Sequence, residues 1–94
     1  MLDIKIDQKG GVMLSGRFDA SQVNKAKPVF DDIKESKTID LTALDYISSA
    51  GLGILLTTQK RLKDSGHQLI LKNMNKHIRE VFKYAGFDRV FQIE

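Results

Sequence analysis

The stretch from Thr38 to Leu56 joins a short apolar strand to a helix, and this junction constrains the fold more than any other feature of the chain. Apolar residues alternate at Ile39 and Leu41, and a short polar crossing follows. The helix is predicted to open at the sequence Ser-Ser-Ala-Gly of residues 48–51 and to continue through Leu52, Leu55 and Leu56. A strand that leads directly into a helix favours a fold in which helices cover a sheet.

Ser48 and Ser49 lie where the first turn of this helix leaves its amide N–H groups without intrahelical acceptors. One interpretation is that a serine serves only as the helix N-cap, because serine is among the preferred capping residues. The other is that one serine receives a phosphate, because the free N–H groups and the helix dipole favour an anion there. Gly51 and Gly53 each cost about 1 kcal/mol of helix propensity relative to Ala, which indicates close approach of an outside molecule to this backbone.

The remaining elements follow from the same periodicities. Strands are predicted at residues 2–6, 12–18, 37–41, 67–72 and 90–93, with a hairpin turn at residues 8–11. Helices are predicted to run from the cap at residues 19–21 to about residue 33, from about residue 50 to 64, and from the Asn75 cap to Gly86. Pro28 lies inside the first helix, which therefore kinks or begins after Ser21. On the second helix, Leu52, Leu55, Leu56 and Leu62 are expected to face the core and Lys60, Arg61 and Lys63 to face water.

The resulting order, β-β-α-β-α-β-α-β, predicts a single domain over residues 1–94 of the α/β (α+β mixed) class. A hairpin followed by crossover units predicts one mixed sheet whose crossover strands are parallel and whose connections are right-handed.

Composition argues against several classes of protein. The chain has no cysteine and no signal-peptide pattern, and its longest apolar run is far too short to cross a bilayer, so a cytoplasmic protein without a membrane span is expected. The net charge of +3 is mild and the cations are scattered. Only the segment His77–Arg89 approaches a basic stripe, and its aromatic residues fall at core spacing. Direct nucleic-acid binding is therefore not expected.

No catalytic residue, metal site or cofactor is predicted. Neither nucleotide-binding glycine fingerprint is present, and the serine pair does not form the nucleophile motif G-x-S-x-G, because residue 47 is isoleucine. His67 and His77 stand alone, and the pair Asp31-Asp32 is typical of a solvated helix face. A small serine-dependent enzyme stays open only as a third hypothesis, since no base partner is visible.

Three segments together resemble the STAS domain of bacterial anti-sigma factor antagonists. Asp40-Leu41 followed by Tyr46-Ile47-Ser48-Ser49-Ala50-Gly51-Leu52-Gly53 is similar to the family signature. The segment Ser15–Ala20 resembles an earlier G-x-[LI]-D-A motif, and Leu69–Phe91 resembles the closing strand, turn and helix. The resemblance covers essentially the whole chain and implies a mixed sheet with helices mainly on one face.

The resemblance also implies a function and a site. In that family the unphosphorylated antagonist binds a serine-kinase anti-sigma factor and frees a sigma factor, the kinase phosphorylates the antagonist at a helix start, and a phosphoserine phosphatase resets it. The acceptor serine corresponds to Ser49, with Ser48 as the alternative, and the family's acidic loop residue corresponds to Asp19. The implied partner-binding residues are Asp19, Ser48, Ser49, Ala50, Gly51, Leu52 and Gly53.

The chain departs from the family pattern at three points. Ser48 replaces an aspartate, which predicts either weaker kinase recognition or a shift of phosphorylation to Ser48. Ala50 replaces a common serine or threonine, and the family's last helix is missing or short. These departures motivate an alternative function, a STAS adaptor subunit of a signalling or transport complex that is never phosphorylated.

Overall fold

The computed structural model describes residues 1–94 and contains one five-stranded mixed sheet with three helices. The strands are β1 (Leu2–Ile6), β2 (Val12–Phe18), β3 (Lys37–Ile47), β4 (Leu69–Lys72) and β5 (Gln92–Ile93). The helices are α1 (Val23–Asp31), α2 (Ser49–Asp64) and α3 (Lys76–Tyr84), with short 3-10 turns at Ala20–Gln22 and Phe87–Arg89. The predicted order of elements is confirmed. No helix is both long and apolar enough to span a membrane.

The sheet has the strand order β1-β2-β3-β4-β5. The β1–β2 hairpin is antiparallel, and the other three neighbouring pairs are parallel. The carboxyl ends of β2 and β3 lie side by side, since Phe18 pairs with Ile47, and α2 begins there. β4 points the same way but ends opposite Asp40, and α3 follows it. In sheets of this kind the carboxyl edge is the usual place for a binding site.

The core lies on one face of the sheet. It contains twenty buried apolar residues, and alternate residues of the strands contribute to it, such as Leu14, Ile39 and Leu41. The residues between them are half-buried or exposed, as for Met13 and Asp40. The sheet is therefore covered by helices on one face and open on the other, which agrees with the predicted arrangement.

The prediction that β3 ends at Leu41 and is followed by a polar crossing is wrong, because the strand continues to Ile47. Two register shifts explain the error. β3 has one extra residue between the pairs Met13↔Asp40 and Ser15↔Ala43, and another between Gly16↔Leu44 and Arg17↔Tyr46. Each extra residue interrupts the alternation of buried and exposed side chains. Leu44 and Ile47 are nevertheless buried.

The bounds of the last strand and of the first helix also differ in part from the prediction. The last strand is only Gln92–Ile93, because Val90 ends the preceding 3-10 turn and Phe91 packs edge-on against Phe82 with ring centroids 5.7 Å apart. The first helix begins after Ser21, at Val23, as one of the two alternatives predicted, but Pro28 still lies inside it.

Arg61 does not simply face water. Its guanidinium donates to the carbonyl oxygens of Ile33 at 2.7 Å and Phe30 at 2.8 Å, at the end of α1. Sequence reasoning failed here because the carbonyl groups that attract the side chain lie far away in the chain. Lys60 and Lys63 are exposed as predicted.

Candidate functional site

The candidate site lies at the carboxyl edge of the sheet, where β2 and β3 end side by side. The Ser48 N–H donates to the Phe18 carbonyl at 2.9 Å, which extends the parallel pairing by one bond beyond β3. Asp19 follows β2 and Ser48 follows β3, so the two predicted site residues stand at neighbouring strand ends. The sheet thus brings together two segments that are far apart in the sequence.

The two serines have different environments. Ser48 is the N-cap of α2, with φ −93° and ψ 174°, and its hydroxyl oxygen accepts the Gly51 N–H at 3.5 Å. Ser48 is half-buried. Ser49 is the first residue of α2, is exposed, and its hydroxyl makes no hydrogen bond. One serine therefore caps the helix, and the other presents a free hydroxyl to solvent.

Gly51 faces the protein interior. A Cβ atom there would lie 2.9 Å from the Phe18 carbonyl oxygen, 2.9 Å from Ile47 Cγ1 and 3.0 Å from Phe18 Cγ. Close packing of α2 on the strand ends thus accounts for this glycine without any outside molecule. Leu52 is also part of the core, at 8% exposure. Gly51 and Leu52 are both buried, so most of their surface already packs against the protein itself, and their place in a partner-contact surface stays a prediction.

Gly53 differs from Gly51. No atom lies within 4 Å of a Cβ built on it, so nothing in the fold requires a glycine. Gly53 and the half-buried Ala50 line an open groove of about 380 Å³ between α1 and α2. The other residues that line this groove are Val23, Lys27, Asp31, Ile54, Thr57 and Thr58.

Asp19 is held in place by its neighbours. One carboxylate oxygen accepts the Ser21 N–H at 3.0 Å and the Ser21 hydroxyl at 2.5 Å. The other oxygen lies 4.0 Å from Arg17 Nε. The hydrogen bond from the Ser21 side chain is the main cause that holds the pKa of Asp19 below its usual value. Asp19 therefore carries a fixed negative charge at neutral pH.

Sequence reasoning missed Arg17 and Tyr46, which flank the site on the open face of the sheet. They are register partners on β2 and β3, and the Arg17 guanidinium carbon lies 4.3 Å from the centre of the Tyr46 ring. This distance fits a cation–π contact. The sequence signal was their outward position, one residue before the end of each strand.

The structure brings no histidine to the serines by hydrogen bonding. His67 Nδ1 lies 3.4 Å from the Ser36 hydroxyl, and His77 is exposed on α3. A nucleophilic serine needs a base within hydrogen-bond reach. The geometry gives no support to the hypothesis of a serine-dependent enzyme.

Comparison with known families gives a match over nearly the whole chain. The family described as "Mlab, STAS domain" matches residues 4–93. A Bordetella bronchiseptica protein named as an anti-sigma factor antagonist, BtrV, is 36% identical over 83 residues, which cover 88% of this chain and 71% of that protein. The anti-sigma-B factor antagonist of Listeria monocytogenes is 26% identical over 87 residues, covering 88% of this chain and 76% of that protein.

Solved structures show the same fold. The anti-sigma factor antagonist SpoIIAA in its unphosphorylated form superposes with a TM-score of 0.75 at 17% identity, covering 100% of this chain and 88% of that one. The phosphorylated form of the Bacillus protein gives a TM-score of 0.70 at the same identity, covering 100% of this chain and 91% of that one. At this level of identity the likeness establishes the fold alone.

Proposed function

We propose, since this chain belongs to the STAS domain family, that it is an anti-sigma factor antagonist whose partner binding is controlled by phosphorylation of Ser49. In the unphosphorylated state it binds a serine-kinase anti-sigma factor, and the kinase releases it by phosphorylating Ser49. A phosphoserine phosphatase restores the binding state. Two relatives bear the name of anti-sigma factor antagonists, and one structural neighbour is known in a phosphorylated form.

The observation that carries this proposal is the difference between the two serines. Ser49 is exposed with a free hydroxyl, whereas the hydroxyl of Ser48 is used as the helix cap. A kinase needs an accessible hydroxyl oxygen that can attack the transferred phosphoryl group. Ser49 meets this need without loss of the cap, which favours it over Ser48.

The physical effect of a phosphate differs between the free protein and its complex. A phosphoserine adds a charge of about −1.5 to −2 at neutral pH. At the first residue of α2 the helix dipole tolerates this charge and stabilises it by about 0.3–1 kcal/mol. In a packed interface the same dianion is desolvated without a matched cation, which is costly. A thousandfold loss of affinity needs only about 4 kcal/mol, so the partner leaves while the fold persists.

The proposed contact surface consists of the exposed or half-buried residues of the site. It comprises Asp19, Ser48, Ser49, Ala50 and Gly53. Gly51 and Leu52 contribute indirectly, because their burial fixes the start of α2 on the sheet. The open space at Gly53 gives the partner a place to approach the helix backbone closely.

The test begins with mass spectrometry of the protein isolated from its own host, beside the variants Ser49→Ala and Ser48→Ala. We expect phosphate on the peptide that contains both serines, its loss in Ser49→Ala and its persistence in Ser48→Ala. Phosphate that persists in Ser49→Ala would move the site to Ser48.

Binding to the anti-sigma factor that co-purifies with Ser49→Ala is then measured by titration calorimetry. Ser49→Ala should bind like the unphosphorylated protein, and Ser49→Asp should bind weakly. Equal affinities of the three proteins would refute the phosphorylation switch.

A second candidate function is an adaptor that is never phosphorylated. The observation that favours it is that no unengaged carboxylate stands beside Ser49. No carboxylate stands at position 48, and the Asp19 carboxylate is already hydrogen-bonded to Ser21. Complete absence of phosphoserine from the host protein under all growth conditions, together with a stable partner, would favour the adaptor.

A further inference from the structure

Helix α3 begins beside the part of β3 that leads to the serine site. It follows β4, whose last residue Lys72 pairs with Asp40, and its cap Asn75 reaches the Leu44 carbonyl, four residues before Ser48. The Asn75 side chain accepts the Ile78 N–H at 2.8 Å and donates to the Leu44 carbonyl at 3.0 Å. Ile78 and Phe82 are fully buried. The sheet therefore holds this helix rigidly and fixes the direction of its outer face.

The outer face of α3 carries three unpaired cations. Lys76, Arg79 and Lys83 are exposed, and none of them takes part in the three ion pairs of the protein. They follow the helix for about 10 Å, at 1.5 Å per residue. Arg79 and Lys83 of this stripe belong to the basic segment His77–Arg89, and the phosphorylation site does not explain them.

The position of Lys76 is unfavourable for the helix itself. It is the first residue of α3, and the first turn contains no acidic residue. The helix dipole favours an anion at this end and a cation at the other. The helix dipole therefore does not account for the lysine at this position.

The charges that surround the stripe indicate the kind of molecule. A shallow groove of about 360 Å³ beside the helix is lined by the three cations together with Glu80, Asp88 and Ile93. Neither carboxylate is paired with a cation. Nucleic acid carries about one negative charge per 1.7 Å of duplex, and Glu80 and Asp88 would repel it. A protein surface can place carboxylates against the lysines and a cation against Glu80, so that opposite charges meet at both kinds of residue.

We propose that Lys76, Arg79 and Lys83 attract an acidic surface of the anti-sigma factor and guide it toward the serine site. This inference rests on the proposed function, because it takes the same partner. Exposed charges at the margin of an interface act mainly on the rate of association and only weakly on dissociation. The stripe therefore accelerates docking, and the site around Ser49 decides whether the complex persists.

The test compares two triple variants that each lower the net charge of +3 by three, to zero. One replaces Lys76, Arg79 and Lys83 with Gln. The matched control replaces the exposed residues Lys5, Lys9 and Lys60 with Gln. Stopped-flow fluorescence measures the association rate constant with the co-purified anti-sigma factor at low and at about 0.5 M salt, where screening acts within about 5 Å. Circular dichroism verifies that both variants fold.

We expect the α3 variant to associate about tenfold more slowly at low salt and nearly normally at high salt. The control variant should stay within about threefold of the wild type. Equal slowing of both variants would overturn the proposal, because net charge alone would then explain the rates. Loss of duplex DNA binding in the α3 variant, with unchanged association with the anti-sigma factor, would overturn it in favour of nucleic acid.

A second measurement distinguishes the α3 capture surface from the phosphorylation switch at Ser49. Affinity is measured with Ser49→Asp in the same assay. Slow association of the α3 variant with normal affinity of Ser49→Asp would support the capture surface and refute the phosphorylation switch. Normal association of the α3 variant with weak binding of Ser49→Asp would do the reverse.

Discussion

The two glycines at the start of α2 should respond in opposite directions to the same substitution. Gly53→Ala places a methyl group where no atom lies within 4 Å. The helix gains about 0.8–1 kcal/mol in propensity and meets no steric resistance. We expect the free energy of unfolding to rise by about 0.5–1 kcal/mol.

Gly51→Ala gains the same propensity but meets packed atoms at 2.9–3.0 Å, whereas carbon atoms attract each other best at about 3.5–4.0 Å. The Phe18 carbonyl cannot move aside easily, because it accepts the Ser48 N–H at 2.9 Å. Overpacking of this kind costs about 1–3 kcal/mol. The net change is therefore a loss of up to about 2 kcal/mol, and the two variants should differ by about 1–3 kcal/mol.

Urea-induced unfolding of the wild type and both variants measures this difference. The slopes of the transitions should be equal, because the surface exposed on unfolding hardly changes. For a domain of this size, 1 kcal/mol corresponds to a Tm shift of about 4–8 °C. A Gly51→Ala protein as stable as Gly53→Ala would refute the packing argument. If Gly53→Ala also weakens binding of the anti-sigma factor, then greater stability and lower affinity in one variant would identify Gly53 as a contact residue.

Three further predictions follow from local contacts. Ser48→Ala should lower the free energy of unfolding by about 1 kcal/mol through loss of the cap, whereas Ser49→Ala should leave it nearly unchanged, as measured by urea titration. Gln59→Leu should lower the free energy of unfolding by about 2–5 kcal/mol. The Gln59 side chain donates to the Val90 carbonyl at 2.8 Å and accepts the buried Leu69 N–H at 2.7 Å, and both backbone groups would lose their partner. A loss below about 0.5 kcal/mol would contradict this. Ser21→Ala should raise the pKa of Asp19 toward its ordinary value, since the Ser21 hydrogen bond is the main cause of the lowered pKa. The stabilisation from ionised Asp19 is present above the ordinary pKa of about 3.9 and is lost as pH falls through the lowered pKa. Unfolding of the wild type and of Ser21→Ala should therefore be compared at neutral and acidic pH. An Asp19 titration by NMR that is the same in both proteins would contradict the assignment.

The sequence determined the order of elements, because strand alternation, helical spacing and caps are local signals. Asn75 caps α3 as predicted, and one of the two serines caps α2 as one interpretation required. These features depend on atoms within about four residues of each other. The serine pair was also recognisable as a candidate site, since a helix start is a local property of the chain.

Tertiary structure decided what depended on distant parts of the chain. The extra residues in β3 became visible only through its pairing with β2. Arg61 donates to carbonyl groups at and just beyond the end of α1, 28 and 31 residues away in the sequence. The sequence also offered no reason to distinguish the two glycines of α2, but only Gly51 packs against Phe18. Local patterns report hydrogen bonding and periodicity along one segment, whereas the space around a side chain is set by whichever segment packs against it. For this reason the chain alone could indicate a serine site, and only the fold could separate the capping hydroxyl from the free one.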